Sequence, residues 1–229
     1  MRFRHSELIW HNFPELVPSA LAADGISPDA TVEVERYYAI ARSRLDGRAE
    51  SELPEIQAWR RTFARMGLKP TQYRCASESL LRRFRKEGSL PSLHPLVDVC
   101  NAISLAFAVP VAVFDTAEID GDLEVRYAAG DEDYLTFSGE HEHPDVGEVI
   151  FADQAGRAHA RRWTNRQSGR SAVSESTASV LIVAEALHPD ASADIGLLMT
   201  AICDELAAAW STKPASALLT PATPSFEFS

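Results

Sequence analysis

Apolar residues recur at helical spacing through the first half of the chain. Ile56, Trp59, Phe63 and Met66 lie three or four apart, which predicts a helix over residues 54–66, stopped by Gly67 with Pro70 just beyond. Residues 33–46 read as an earlier helix, and Ser77 is placed to cap another that carries Leu80, Leu81 and Phe84. The next helix, about residues 94–108, has Leu96, Val97, Cys100, Ile103, Ser104 and Phe107 on one face. Val99, Ala102 and Leu105 make the other side apolar too, the mark of a buried helix. Asp98 and Asn101 are then polar groups one turn apart on that helix. They must tie down a neighbouring loop or face a cavity.

Beyond residue 109 the period shortens. Residues 109–115, 123–127, 134–137, 148–152 and 180–184 read as strands, with a turn signal at 153–156. Ile195, Leu198, Met199, Ile202 and Leu206 mark a last amphipathic helix. Helices, then strands, then a helix predict an α+β domain with flanking helices on a layered sheet. The expected division is an N-terminal extension packed on the core (1–53, with a short strand at 7–10), a main domain (54–210) and a flexible, Pro- and Ser-rich tail (211–229).

Composition narrows the class. At 229 residues, 45% hydrophobic and 24% charged, the chain can bury a real core and is neither low-complexity nor wholly disordered. No apolar run reaches the ~18 residues of a membrane span, and the first residues lack the apolar stretch of a signal peptide, so a cytoplasmic location is expected. Cys75, Cys100 and Cys203 are widely spaced, which argues against disulfides or structural zinc. The net charge of −11 disfavours broad nucleic-acid coating, yet 14 of the 22 Lys and Arg fall in residues 60–86 and 157–170. Such a cationic region on an acidic body fits a phosphate-bearing ligand held at one place.

Catalytic signatures are sparse: no GxSxG, P-loop, GxGxxG or HExxH is present. His141-Glu142-His143 reads as a solvated loop rather than a metal site, and no metal or other cofactor is expected. His94, before Pro95, reads as structural. Glu185, at the end of an apolar strand, can project into a cleft. The most specific local feature is the stretch 161–169, which offers guanidiniums for phosphate, the Trp163 indole for stacking, and Asn165 and Gln167 amides for hydrogen bonds.

The order of motifs resembles a known family. Pro95-Leu-Val-Asp98-Val-Cys-Asn101, Val113-Phe114-Asp115, Ile119-Asp-Gly121, Val125-Arg126-Tyr-Ala128 and Val149-Ile-Phe-Ala152-Asp153 are similar, in sequence and order, to the B3/B4 domain of the phenylalanyl-tRNA synthetase β subunit. The stretches around Trp59-Arg60 and Tyr73-Arg74 resemble its free-standing version, and coverage is roughly residues 54–188. The resemblance implies an α+β fold with a central cleft, and an editing activity that hydrolyses the ester of tRNA carrying the wrong amino acid. Asp98, Asn101 and Asp115 carry over as cleft positions, and residues 163–169 fall where the family has a glycine-rich editing loop. A family histidine is replaced here by Ala112.

On this basis the chain is expected to deacylate mischarged aminoacyl-tRNA in trans, its partner being the aminoacylated acceptor end. Asn101, Asn165 and Gln167 are the catalytic candidates, orienting water and stabilising the oxyanion. Arg74, Asp98, Asp115, Arg162, Trp163, Arg166 and Glu185 are the substrate-binding candidates: Arg74 and Arg166 for phosphates, Glu185 for the ammonium. Two other readings stay open, a non-catalytic module for tRNA ends or an amino-acid-like ligand, and a hydrolase of small amino-acid esters or amides.

Overall fold

A computed structural model describes residues 1–228. In chain order the elements are β1 (Arg2–His5), α1 (Glu7–Asn12), β2 (Val17–Asp24), α2 (Glu35–Leu45), α3 (Pro54–Arg65), α4 (Ala76–Glu87) and α5 (Pro95–Phe107). There follow β3 (Val111–Asp115), β4 (Leu123–Tyr127), β5 (Tyr134–Leu135), β6 (His141–Glu142), β7 (Val149–Ala152), β8 (Ala158–Arg161), β9 (Arg166–Gln167) and β10 (Ser179–Ala186). The chain finishes with α6 (Ala191–Trp210), β11 (Ala215–Leu218) and β12 (Ser225–Glu227).

Two larger sheets form an α+β fold. One runs β12-β1-β4-β7-β8-β9, the other β11-β2-β10-β3, with β5-β6 a separate ribbon. All pairs are antiparallel except β1 with β4. Phe114 of β3 packs on Phe151 of β7 at 5.4 Å, and Phe3 of β1 stacks on the same ring at 6.0 Å, so this aromatic stack joins the two sheets. Helix α6 packs on β2 and β10, and α5 packs on α2, α4, α6 and β3. The apolar run of α5 is accordingly buried from Val99 through Ala106, apart from half-buried Asn101.

Local structure departs from the expected elements in three places, each for a physical reason. Residues 7–10 are helical, because Ser6 caps α1 by accepting from the Ile9 amide; the strand is the preceding Arg2–His5, where exposed and buried residues alternate. Cys75, not Ser77, is the N-cap residue of α4. Within residues 1–53 the strands β1 and β2, and within residues 211–228 the strands β11 and β12, take part in the two larger sheets. β2 lies between β10 and β11, and β12 pairs with β1 through Phe3 and Phe226, both buried. Alternation with one buried aromatic lets so short a strand contribute to the core. No helix among the described residues is long and apolar enough to cross a membrane.

Candidate functional site

The strands β3 and β9 are the end strands of their respective sheets. Gln167 of β9 donates its side-chain N–H to the Val113 carbonyl of β3 at 2.6 Å and so ties the two ends together. Two adjoining hollows lie along this junction, and both are lined by Gln167 and Val111. The larger, about 480 Å³, opens beside α5 and is also lined by His94, Asn101 and the exposed Leu93 and Phe137. The smaller, about 60 Å³, is lined by Ala112, Phe151, Trp163, Asn165, Arg166 and Glu185, among others.

The turn from β8 to β9 builds the wall of the smaller hollow. Arg162 and Trp163 both adopt left-handed backbone, with φ of 48° and 59°. Each such residue costs on the order of 1–2 kcal/mol without glycine, so tertiary contacts must hold them. The Arg162 amide donates to Glu148 Oε1 at 2.9 Å, and the Trp163 amide donates to the Val149 carbonyl at 2.7 Å. The Trp163 indole is fully buried, edge-on to Trp59 and Phe13 at 5.2 and 4.8 Å. Its N–H donates to both oxygens of Glu185 at 3.0 Å, and His5 Nε2 lies 2.6 Å from one of them. Asn165 donates to the Arg74 carbonyl at 2.7 Å, and the Ala76 amide donates to the Thr164 carbonyl at 2.8 Å, docking the turn on the start of α4.

The candidate residues therefore divide. Asn101 and Gln167 meet at the larger hollow; Trp163, Asn165, Arg166, Gln167 and Glu185 meet at the smaller. Asp98 lines neither: its carboxylate accepts from the Ser92 hydroxyl at 2.6 Å and the Leu93 amide at 2.8 Å, which is the loop-tying alternative. Asp115 is likewise internal, accepting from the Thr177 hydroxyl at 2.6 Å and the Ala117 amide at 3.0 Å. Glu185 is already engaged by His5 and Trp163, so an ammonium would compete with two built-in partners.

The arginines are mostly spoken for by acids distant in sequence. Arg161 pairs with Glu142 at 2.7 Å and Glu148 at 2.9 Å, and Arg166 pairs with Glu142 at 3.1 Å. Arg162 lies 3.8 Å from Glu148 and over the Tyr73 ring, and Arg170 meets Asp133 at 2.8 Å. Arg60 and Arg74 both face Glu78, at 2.6 and 3.6 Å. Four of the five arginines in 157–170 are thus paired within the fold, whereas among the described residues Arg61, Lys69, Arg82 and Lys86 of the other cationic stretch face no acid within salt-bridge distance. Arg166, two-fifths exposed, is the most open guanidinium lining either hollow.

Neither hollow offers an activated nucleophile. Cys100 and His94 both line the larger one, but burial pushes the thiol up to about 12, so it stays protonated. His94 caps α5, its Nδ1 accepting from the Leu96 amide at 3.2 Å, and burial holds its pKa below the ordinary value. His141 lies 2.5 Å from Asp133, and Glu142 is taken by the arginines, as fits a polar loop. The nearest approach to a metal cluster among the described residues is Glu55, His188 and Asp194, each offering an atom within 4.8 Å of the others. None of the three lines either hollow; His188 and Asp194 bond each other at 2.8 Å and Arg44 bonds Glu55 at 2.6 Å.

Comparison with known proteins finds a match to the model of the B3/4 domain over residues 58–201. The phenylalanine–tRNA ligase β subunit of Legionella pneumophila (strain Paris) is 33% identical over 75 residues, 33% of this chain and 9% of that one. That of Nocardia farcinica is 33% identical over 110 residues, 48% of this chain and 13% of that one. The chain thus spans only a small part of these relatives. An N-terminal fragment of the phenylalanyl-tRNA synthetase β-subunit from Pyrococcus horikoshii has a TM-score of 0.47 at 10% identity, covering 93% of this chain and 49% of that one.

Proposed function

Because the chain belongs to the B3/4 domain family, we propose that it is a deacylase acting in trans on mischarged tRNA, cleaving the ester between the amino acid and the terminal ribose. The observation that carries this reading is the pair of adjoining hollows of unequal size with Gln167 lining both. An aminoacyl ester also has two unequal ends. The 480 Å³ hollow is in the range of small-molecule pockets and suits the terminal nucleoside, with exposed Phe137 and Leu93 as apolar faces for a base. The narrow hollow suits the amino acid.

Asn101 and Gln167 flank the place where the ester would then sit. Gln167 spends one N–H on Val113, which fixes its orientation, and keeps a second N–H and its oxygen for the substrate or water. Amide donors of this kind can stabilise the developing oxyanion. An aminoacyl ester is already activated, so holding it against a positioned water supplies much of the needed rate without a protein nucleophile. Arg166, two-fifths exposed at the rim of the narrow hollow, is the guanidinium placed to meet a terminal phosphate.

The test is release of amino acid from a panel of mischarged tRNAs by the purified chain, with Asn101→Ala alongside. Acceleration over spontaneous hydrolysis that falls in the variant is expected. No acceleration with any member rejects hydrolysis. Saturable binding without turnover would instead assign a non-catalytic binding module, a reading favoured by the lack of an activated nucleophile in either hollow.

A further inference from the structure

Trp163 is the largest side chain among the residues lining the narrow hollow. Trp163 sits in left-handed backbone, where glycine would be unstrained, yet it is a bulky tryptophan that lines the hollow. Its indole is clamped by Glu185, Trp59 and Phe13. Glu185 in turn is held by His5, so the wall is braced from behind. The space left beside it, among Ala112, Phe151 and Glu185, is about 60 Å³. An apolar cavity of ~150 Å³ is what holds a benzene ring. The space here is less than half of that, enough for a methyl or hydroxymethyl group and too little for a phenyl or phenol.

The polar lining points the same way. Glu185 Oε2 accepts only from the Trp163 indole and keeps acceptor capacity that a small side-chain hydroxyl could use. We propose that Trp163 is a specificity-determining residue that restricts this site to aminoacyl esters with side chains the size of alanine or serine and excludes aromatic amino acids. The inference rests on the deacylase reading for its substrate, but its test does not depend on turnover alone.

Two readouts are compared on the purified full chain: deacylation of alanyl-, seryl-, tyrosyl- and phenylalanyl-tRNA, and binding of the matching non-hydrolysable 3′-aminoacylamino-3′-deoxyadenosines. The variants are Trp163→Gly, which opens the hollow with an unstrained backbone, and Ala112→Leu, which fills it. In the parent, the alanyl and seryl compounds are expected to be favoured over the aromatic ones by about tenfold or more in either readout. Trp163→Gly should erase or reverse that preference, and Ala112→Leu should lose the small compounds by a similar factor. A parent that handles tyrosyl and alanyl compounds alike overturns the inference while leaving deacylation intact. A parent that deacylates nothing yet binds the alanyl analogue more tightly refutes the deacylase reading and upholds the size limit. Should Trp163→Gly fail to fold, Ala112→Leu decides: unchanged handling of the alanyl compounds overturns the proposal.

Discussion

Arg161 and Glu148 form a two-point ion pair, Nε to Oε1 and Nη2 to Oε2, both at 2.9 Å. Both side chains are 5% exposed. Arg166, the first residue after the turn, pairs with Glu142 while two-fifths exposed. Exposure decides what each guanidinium is worth. Removing one partner of a buried pair leaves an uncompensated charge, so Arg161→Ala is expected to cost about 3–5 kcal/mol. The half-open Arg166 pair is screened by water, so Arg166→Ala should cost under about 1 kcal/mol. Urea denaturation of the two variants checks this, and equal losses would contradict it.

Glu185 is bonded from two sides, by Trp163 lining the narrow hollow and by His5 behind it. Glu185→Gln keeps the shape and one acceptor oxygen, which His5 and Trp163 must then share, and a loss of about 1–2 kcal/mol is expected. Glu185→Ala leaves both partners buried and unbonded and should cost about 3 kcal/mol or more. Thermal melting distinguishes them, and a neutral Glu185→Ala would show that the buried bonds contribute nothing.

Acid should loosen the fold in a defined direction. The bond to His141, then that to Arg170, holds Asp133 below its ordinary value of 3.8. For Glu142 and Asp153, burial pushes upward but is outweighed, by Arg166 and Arg161 in one and by His159 and backbone amides in the other, so both end below their ordinary 4.5 and 3.8. A depressed folded value stabilises above the ordinary pKa and is lost as pH falls through the folded one. Glu78 has the opposite sign. Burial raises it despite Arg60 and Arg74, so its contribution is present below 4.5 and lost as pH rises through the raised value. Asp122 and Glu132 are held low as well, so with five carboxylates against one, stability measured by urea midpoints should decline as pH drops from about 5 to about 3. A midpoint that rises over that interval would mean Glu78 dominates.

Asn101 and Gln167 are expected to separate catalysis from stability. Asn101 is half-buried at the larger hollow, so Asn101→Ala should lower deacylation on the order of 10²-fold with little change in melting temperature. Gln167→Ala also frees the two sheet ends from each other. It should lower activity and cost about 1 kcal/mol of stability. Parallel kinetics and melts on both variants give the comparison, and an Asn101→Ala enzyme as fast as the parent would remove that residue from the mechanism.

Much of this architecture is written locally. The all-round apolar pattern of residues 94–108 is α5, the alternation at 123–127 is β4, and the ordered motifs carry the family. What was illegible is what depends on distance along the chain. The stretch 157–170 contains no acid, yet Glu142, Glu148 and Asp133 reach its arginines across strand pairs. Asp98 carried two possible duties, and the position of Ser92 and Leu93 in space settles which it performs. Residues 7–10 read as a strand because three consecutive apolar residues, Leu8 to Trp10, cannot distinguish strand from helix; the Ser6 cap does. Nothing near Trp163 in the sequence reveals that His5 lies behind it through Glu185.

The placement of β2 has a consequence for biogenesis. Its neighbours on either side, β10 and β11, emerge late: Asp24 pairs with Ser179, and Ala22 pairs with Ala215. During vectorial synthesis this eight-residue, mostly apolar strand must therefore wait, unzipped on both flanks, until residues 179–186 and 215–218 have left the ribosome. The helices can form at once, but the sheet built on β2 stays open until these late strands arrive, which leaves a nascent edge of the kind that chaperones shield.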